Sequence, residues 1–397
     1  MRFDLIESYS ALRHSPVRIV FGEGSLRKLG SLAVEEGATR VLLVTDPGIV
    51  RAGHAERATQ SLRDAGVEVT AFDGARENPT THEVESGVRI ARDLGVDFLV
   101  GLGGGSSMDC AKGINFILTN GGVMHDYWGI GKASKPMLPS ICVPTTAGTG
   151  SEAQSFALIT DPNSHQKMAC GDRKALPRVA ILDPELIATV PRAVAAATGI
   201  DAVAHAIETA ACNKRTPASR ELSRTAWRLL NPAFESAITG AATESHGRNP
   251  AHVESELSVS SAMLLGAHCA GAAIEASMLG AAHACANPLT SMYGATHGIA
   301  VGLMLPHVIR FNAVGASDPY SDLCGDGPLG VRNAEELACR VEVMLQTAGL
   351  PRRLSDIGVT LDAIPDLADM ALLQWTARFN PRDLTVESLR EIYLAAL

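Results

Sequence analysis

The sequence predicts an α/β domain built on a parallel sheet over 1–183, followed by an all-α domain over 184–397. Three observations carry this. Short apolar, β-branched runs alternate with helical stretches as far as Pro184, the pattern of a parallel sheet covered by helices. Beyond Pro184 strand signals vanish, and alanine-rich helical segments follow one another to Leu397. Within the first region, a glycine-rich stretch joins a strand to a helix at Gly103–Ser107.

Val17 to Phe21 forms the first short strand, and Gly22-Glu-Gly24 turns the chain into a helix capped by Ser25 and running to about Glu36. Val41 to Thr45 is an apolar β-branched run ending at Asp46-Pro47-Gly48, as expected of a parallel strand buried on both faces. A helix from about Ile49 to Ala65 and a strand over Val67 to Phe72 follow, then a loop through Asn78-Pro79-Thr80. A helix over Val84 to Leu94 leads to a strand over Asp97 to Gly101, and a helix is expected over Met108 to Leu118. Ser140 to Val143 is the last strand predicted, ending at Pro144-Thr-Thr-Ala-Gly-Thr-Gly-Ser-Glu152. The expected C-terminal helices span 184–187, 192–212, 217–239, 253–278, 297–312, 333–348, 361–373 and 386–394. Surface loops are expected at 245–250 and 315–330, and a ligand site in the cleft between the domains, at the carboxyl ends of the strands.

Composition narrows the function. The chain has 397 residues, 46% of them hydrophobic and only 4% aromatic, so its cores must pack through small aliphatic side chains and 37 glycines. A formal charge of −9 argues against a nucleic-acid partner. No apolar run reaches the length of a membrane span, and residues 1–16 lack a signal-peptide core. The eight cysteines are scattered without a C-x-x-C pair, which fits a reducing cytoplasm better than a disulfide framework.

Two stretches carry chemistry. Asp201 and His205 are four residues apart, so on a helix both leave one face. Farther along stand His283 and His297, with Pro288 expected to interrupt the helix between them. One carboxylate and three imidazoles make a divalent-metal donor set suited to iron, zinc or nickel alike. A single histidine on an apolar face is more often a core residue than a ligand. Here the neighbours are almost all alanine, and a buried charge among them needs a partner or a metal. In the glycine-rich loop, Gly103, Gly104 and Gly105 let the backbone approach a phosphate. Ser106 and Ser107 open the helix whose free N–H groups would receive it. Asp46, at the end of a strand, is either a ribose-binding carboxylate or a turn residue before Pro47. Thr145 and Thr146 place hydroxyls beside a second glycine-rich bend.

Together these stretches resemble the iron-dependent (group III) alcohol dehydrogenase family. The resemblance rests on Phe21-Gly-Glu-Gly-Ser-Leu26, Gly103-Gly-Gly-Ser-Ser-Met-Asp109, Pro144 to Glu152, Gly199-Ile-Asp-Ala-Val-Ala-His-Ala-Ile-Glu208, the Thr296-His-Gly to Leu305-Pro-His segment and Asn380-Pro-Arg382. It covers essentially the whole chain. It implies a Rossmann-like dinucleotide-binding domain and a helical metal-binding domain, with the metal on Asp201, His205, His283 and His297. It further implies nucleotide contacts at Asp46, Asn78, Gly103, Gly104, Gly105, Ser106, Ser107, Thr145, Thr146 and Lys167. Gln154 stands where a threonine is common in that site.

One departure bears on substrate. Many members carry a second histidine four residues after the third ligand; here that position is Asn287. An asparagine can hydrogen-bond a substrate but cannot shuttle a proton, so Asn287 beside His283 is either a substrate contact or the cap of its helix. The implied activity is NAD-linked interconversion of an alcohol with an aldehyde or ketone by a homodimer or larger homo-oligomer. NAD is expected over NADP because Asp46 would repel a 2′-phosphate, and Fe2+ over Zn2+. The alternatives are a maleylacetate reductase-like enzyme acting on a carboxylated ketone, a cyclase related to dehydroquinate synthase, and a non-enzymatic nucleotide- or metal-binding protein.

Overall fold

A computed structural model describes residues 9–164, 166–240, 257–315, 318–325 and 329–397. The chain divides into two compact units, Ser15–Val190 and Pro191–Leu397, with 9–14 counted with the second. No helix among the described residues is long and apolar enough to cross a membrane.

The first unit is an α/β fold. Its strands are β1 (Arg18–Phe21), β2 (Arg40–Val44), β3 (Glu68–Phe72), β4 (Phe98–Gly103), β5 (Gly129–Ile130), β6 (Ser140–Pro144), β7 (Phe156–Thr160), β8 (Lys167–Gly171) and β9 (Val179–Leu182). Six of them form one sheet in the order β1-β9-β6-β4-β2-β3, and every pairing is parallel. The helices are α1 (Leu29–Glu35), α2 (Pro47–Arg51), α3 (His54–Asp64), α4 (Thr81–Leu94), α5 (Gly105–Asn120) and α6 (Pro184–Ile187). Side chains alternate across the sheet with the period of two that a strand imposes. Leu42, Val44 and Leu99 pack with Val84, Val88 and Ile114 of α4 and α5. Val41, Leu43, Val100 and Val143 pack on the opposite face with Leu29, Leu32, Ala58 and Leu62 of α1 and α3.

The structure corrects the sequence at three places in this unit. The predicted helix 49–65 is two, because Gly53 takes φ 77 between α2 and α3. A small second sheet, β5-β8-β7, with β7 and β8 antiparallel, was not predicted. Neither was β9, which lies between β1 and β6. A four-residue apolar run such as Val179–Leu182 has too little length to show a period; its neighbours in space make it a strand.

The second unit is helical throughout its described residues. Its helices are α7 (Arg192–Ala211), α8 (Pro217–Thr239), α9 (Val259–Glu275), α10 (Ala281–Tyr293), α11 (His297–Asn312), α12 (Ala334–Ala348), α13 (Ile364–Leu372) and α14 (Val386–Ala396). Residues 9–14 join it through Ser10 and His14, both hydrogen-bonded to Glu221 of α8. The predicted loop 245–250 and the start of the predicted helix 253–278 lie outside the described residues; α9 begins at Val259, with the Ser258 hydroxyl accepting from Ser261 N at 3.2 Å. Within the predicted surface loop 315–330, Tyr320 and Leu323 are buried, and the Tyr320 hydroxyl accepts from Asn312 Nδ2 at 3.0 Å.

Pro288 does not interrupt its helix. α10 runs through it to a left-handed cap at Gly294. A proline removes one helical hydrogen bond, here the one to the Ala284 carbonyl, and the burial of Pro288 and Leu289 among their neighbours outweighs that loss. Asn287 is therefore an interior helix residue, and the cap alternative falls.

Asp183 ties both ends of the α/β unit together. Fully buried, its carboxylate accepts from the backbone N–H groups of Gly24 (3.0 Å), Leu26 (3.0 Å) and Glu185 (3.1 Å). Asp183→Ala leaves these donors buried without an acceptor, and a loss of about 2–4 kcal/mol is expected. Thermal unfolding should show a clear fall in midpoint, with Asp183→Asn falling less because one acceptor oxygen remains.

Candidate active site

The α/β unit builds its site where the strand order reverses. From β2 the chain steps outward to β3, returns past β2 to β4, and then continues toward β6 and β9. The carboxyl ends of β2 and β4 are thus adjacent, with loops leaving them in opposite directions, which is where open parallel sheets bind ligands. Asp46 leaves β2 and Gly103–Ser107 leaves β4. Asp46 Oδ1 caps α2, accepting from Gly48 N (2.8 Å) and Ile49 N (3.1 Å), and Oδ2 accepts from the Ser107 hydroxyl at 3.2 Å. Asp46 is thus a turn residue that caps α2, and its second oxygen faces the glycine loop.

Gly103 has no substitute here. Its φ is 149, and a Cβ would sit 2.5 Å from Ser107 Oγ and 3.2 Å from Asp46 Oδ2. A Cβ on Gly105 would meet Thr149 at 2.8 Å. The first intrahelical bond of α5 is Met108 N to Gly104 O at 3.3 Å, so the N–H groups of Gly105, Ser106 and Ser107 point out of the helix start. Thr145 follows β6, its N–H donating to Gly103 O at 3.0 Å, and its buried hydroxyl has no hydrogen-bond partner among the described residues. Thr146 lies against Gly104.

Asn78 and Lys167 approach one another through Thr160, whose N–H donates to Pro79 O at 2.8 Å and which pairs with Lys167 across the β7/β8 ladder. Asn78 has φ 52, alone among the described non-glycine residues in having a positive φ. Gln154 is turned to the backbone, its Nε2 donating to Thr149 O at 2.7 Å. A buried group bolts this bend to α5: Lys112 Nζ donates to Ser151 O (2.6 Å) and Phe156 O (3.0 Å), and the Ser151 hydroxyl donates to Asp109 Oδ1 at 2.7 Å. Burial pushes the Asp109 carboxyl up from its ordinary value, and Lys112 opposes that shift.

The helical unit gathers the metal-type donors. Asp201, His205 and Glu208 recur at helical spacing along one face of α7. His283 comes from the first turn of α10, and His297 opens α11. The donor atoms of Asp201, His283 and His297 all lie within 4.8 Å of one another. His205 Nε2 is 3.1 Å from His283 Nε2 and 3.5 Å from Asp201 Oδ1. The His283 ring centroid is 4.9 Å from that of His205 and 5.4 Å from that of His297. Asp201, His205 and His283 are buried and His297 is half-buried.

A glycine makes this convergence possible. A Cβ on Gly298 would lie 2.0 Å from the Ala197 carbonyl and 3.1 Å from Asp201 Cβ. Only without that atom can the start of α11, and His297 with it, come against α7.

The donor set fits a divalent cation. Asp201 Oδ1 is buried and takes no hydrogen bond among the described residues, although imidazole nitrogens surround it. Burial pushes the Asp201 carboxyl up, but the imidazoles of His205, His283 and His297 outweigh it and hold the group well below the ordinary carboxylate range. For His283, burial lowers the value, and the Glu208 and Asp201 carboxylates reverse this, pushing it up to about 9. The site is thus electrostatically prepared for positive charge.

Glu208 joins this cluster, and the sequence analysis did not single it out. Its Oε2 bonds His283 Nδ1, and its Oε1 accepts from Ala282 N at 2.7 Å. This holds the imidazole with Nε2 turned toward Asp201, the arrangement by which an outer carboxylate orients a histidine ligand. A signal existed: Glu208 falls seven positions after Asp201, on the same helical stripe. Asn287, one turn beyond His283, is half-buried and donates from Nδ2 to Gln374 Oε1 at 2.9 Å.

Comparison with known proteins agrees with this architecture. Residues 16–184 match the family described as iron-containing alcohol dehydrogenase, and residues 195–397 match its C-terminal region. The chain is 32% identical to the NAD-dependent methanol dehydrogenase of Bacillus methanolicus, covering 96% of this chain and 98% of that one. It is also 32% identical to the lactaldehyde reductase of Escherichia coli K12, over 95% of this chain and 97% of the relative. A solved structure of 1,3-propanediol oxidoreductase superposes with a TM-score of 0.88 at 31% identity, covering 96% and 98% of the two chains. The chain belongs to the iron-containing alcohol dehydrogenase family. It is an oxidoreductase of the alcohol–carbonyl couple, built on a nucleotide-binding type of sheet and a helical unit with a metal-type donor cluster.

Two expectations follow. Purified protein loaded anaerobically with Fe2+ should hold about one metal per chain, and His283→Ala should lose it. Glu208→Gln should weaken metal retention by about ten- to a hundredfold, as loss of an outer-sphere partner does. Metal analysis after dialysis against a graded chelator measures both, and equal retention in all three proteins would remove the cluster from metal binding. For the nucleotide, Asp46→Asn keeps an acceptor for the α2 cap and removes the charge. Wild-type protein should prefer NAD over NADP by about ten- to a hundredfold, on the order of 1.4–3 kcal/mol. Asp46→Asn should narrow that ratio in kcat/KM, and an unchanged ratio would exclude the carboxylate from the choice.

Proposed function

We propose that this enzyme transfers hydride reversibly between NAD(H) and a short-chain alcohol or its aldehyde, with Asp201, His205, His283 and His297 holding one divalent iron. Zinc is the second choice, since three imidazoles and a carboxylate suit both metals. The Asp201–His283–His297 cluster, in a chain that matches its relatives over nearly their whole length, carries this proposal. Residues 1–183 serve as the dinucleotide-binding domain and 184–397 as the metal and catalytic domain.

Each residue has a task. The N–H groups at the start of α5, with Gly103–Ser107, bind the pyrophosphate, and Asp46 accepts from ribose hydroxyls. Asn78, Thr145, Thr146, Gln154 and Lys167 complete the nucleotide site. The metal, when bound, supplies Lewis-acid polarisation of the substrate oxygen. Asp201 balances positive charge within the imidazole cluster, and Glu208 keeps the His283 ring in register. Asn287 has no titratable proton in the working range, so it positions substrate rather than relaying a proton. All eight cysteines are free thiols, which supports a reducing cytoplasmic setting. The enzyme works as a homodimer or larger homo-oligomer.

Iron-loaded protein should reduce short aldehydes with NADH and saturate, and activity should fall about a hundredfold or more in His283→Ala. Absence of turnover above the metal-free protein across formaldehyde to butanal would overturn the proposal.

A further inference from the structure

Gly280 stands before α10 and has no side chain to cap it, so the first N–H groups of that helix take their acceptors from elsewhere. Glu208 Oε1 serves Ala282 N at 2.7 Å. Asn380 serves the other: its Oδ1 accepts from Ala281 N at 3.2 Å. Both acceptors crowd Gly280, where a Cβ would lie 3.1 Å from Asn380 Oδ1 and 3.2 Å from Glu208 Oε1. His283 follows in the same first turn.

Asn380 opens the Asn380-Pro-Arg382 stretch, to which the proposed function assigns no task. Its buried amide is fixed at both ends. Nδ2 donates to the Arg382 carbonyl (2.7 Å) and to Asn312 Oδ1 (2.7 Å), and Oδ1 accepts from Asn312 Nδ2 (3.1 Å) as well as from Ala281 N. A carbonyl can only accept and a backbone N–H can only donate, so the reverse orientation satisfies neither. The backbone around Asn380 is held too. Asn213, just past the end of α7, donates from its N–H to Phe379 O (3.0 Å) and from Nδ2 to Arg378 O (2.9 Å). Asn312 is the last residue of α11. Asn380 thus ties the start of α10 to the ends of α7 and α11, the three helices that carry Asp201, His205, His283 and His297.

We infer that Asn380 is a positioning residue for the donor cluster, acting through the first turn of α10 to set where His283 Nε2 stands relative to Asp201 and His205. The inference rests on the proposed function, since its reference is the metal held by those side chains. Without the Asn380 amide, Ala281 N–H is buried with no acceptor. The first turn of α10 then depends on Glu208, whose carboxylate already serves Ala282 N and the His283 ring. A shift of that turn toward another acceptor carries the His283 ring with it. A metal site tolerates such a shift poorly, because ligand distances are set to within about 0.2 Å.

The test uses the whole chain loaded with Co2+, whose visible absorption reports the geometry of its ligands. Asn380→Ala should weaken Co2+ retention against a graded chelator by about tenfold or more, as loss of an outer partner does, and should change the visible bands. Asn380→Asp keeps an oxygen for Ala281 N. It should hold Co2+ within about threefold of wild type and keep the wild-type bands, even where burial of its carboxyl lowers the thermal midpoint as far as alanine does. A role in stability alone would make retention follow the midpoint in both variants. Asn312→Ala removes one anchor of the amide and leaves Asn380 in place. It should move the bands in the same direction by a smaller amount, and it carries the test if Asn380→Ala does not fold. Wild-type affinity and bands in the folded alanine variant would overturn the inference and leave the proposed function standing. Retention in Asn380→Asp as low as in Asn380→Ala would also overturn it. A wild type that holds no Co2+ would overturn the proposed metal site, and the inference falls with it.

Discussion

A carboxylate buried among alanines constrains the whole helical unit. Asp201 sits in α7 with almost no solvent, and an isolated charge there would be costly. The structure answers with imidazoles from its own helix and from two others, so the three helices must converge at one point. Convergence needs short contacts, and the low aromatic content and abundant alanine allow them. Gly298 marks the tightest place, where a single added carbon would strike the Ala197 carbonyl. The same need explains Glu208. A histidine that must present one nitrogen inward has to have the other one held, and the Glu208 carboxylate does so while also bonding the backbone at Ala282. Charge balance and ring orientation therefore come from one stripe of α7.

The α/β unit has a different character, leaving backbone N–H groups open at the start of α5 with no basic side chain in the loop before it. Sheet topology provides for this. Because the order reverses between β2 and β4, two loops that leave neighbouring strands diverge, and the start of α5 opens at the gap. Ser107 and Asp46 close the side of that gap with a hydrogen bond, and Thr145 borders it from β6. The polar bolt of Lys112, Ser151 and Asp109 then keeps the second glycine-rich bend against α5. Small residues at the start of α5 leave space there, and the polar ties behind it hold the bend rigid.

Pro288 shows how tertiary packing overrides a local rule. Taken alone, a proline predicts the end of a helix, and Asn287 before it looks like a cap. In the folded chain the lost hydrogen bond is one among many contacts, and α10 continues to Gly294. That continuation changes what Asn287 can do. As an interior residue it faces sideways and meets Gln374, eighty-seven positions away in sequence. No local signal marks Gln374, because an amide after a helix end looks like any other turn residue.

The sequence by itself determined the class of fold and the family, and it named Asp201, His205, His283 and His297, side chains that the structure brings together. These depend on strong local patterns: apolar runs of strand length, glycines at a strand–helix junction, and long motifs in order. It also placed most helices within a few residues, since their periods extend over three turns or more. Only the tertiary structure decided the strand order with β9 inside the sheet, the small β5-β8-β7 sheet, the path of α10 through Pro288, and the second partners Glu208 and Gln374. The physical reason is common to all of these. A short strand, a helix carrying a proline, and a side chain that works through another are each stabilised by groups distant in the chain. A local pattern records which conformations a segment can adopt, and the packed neighbours choose among them.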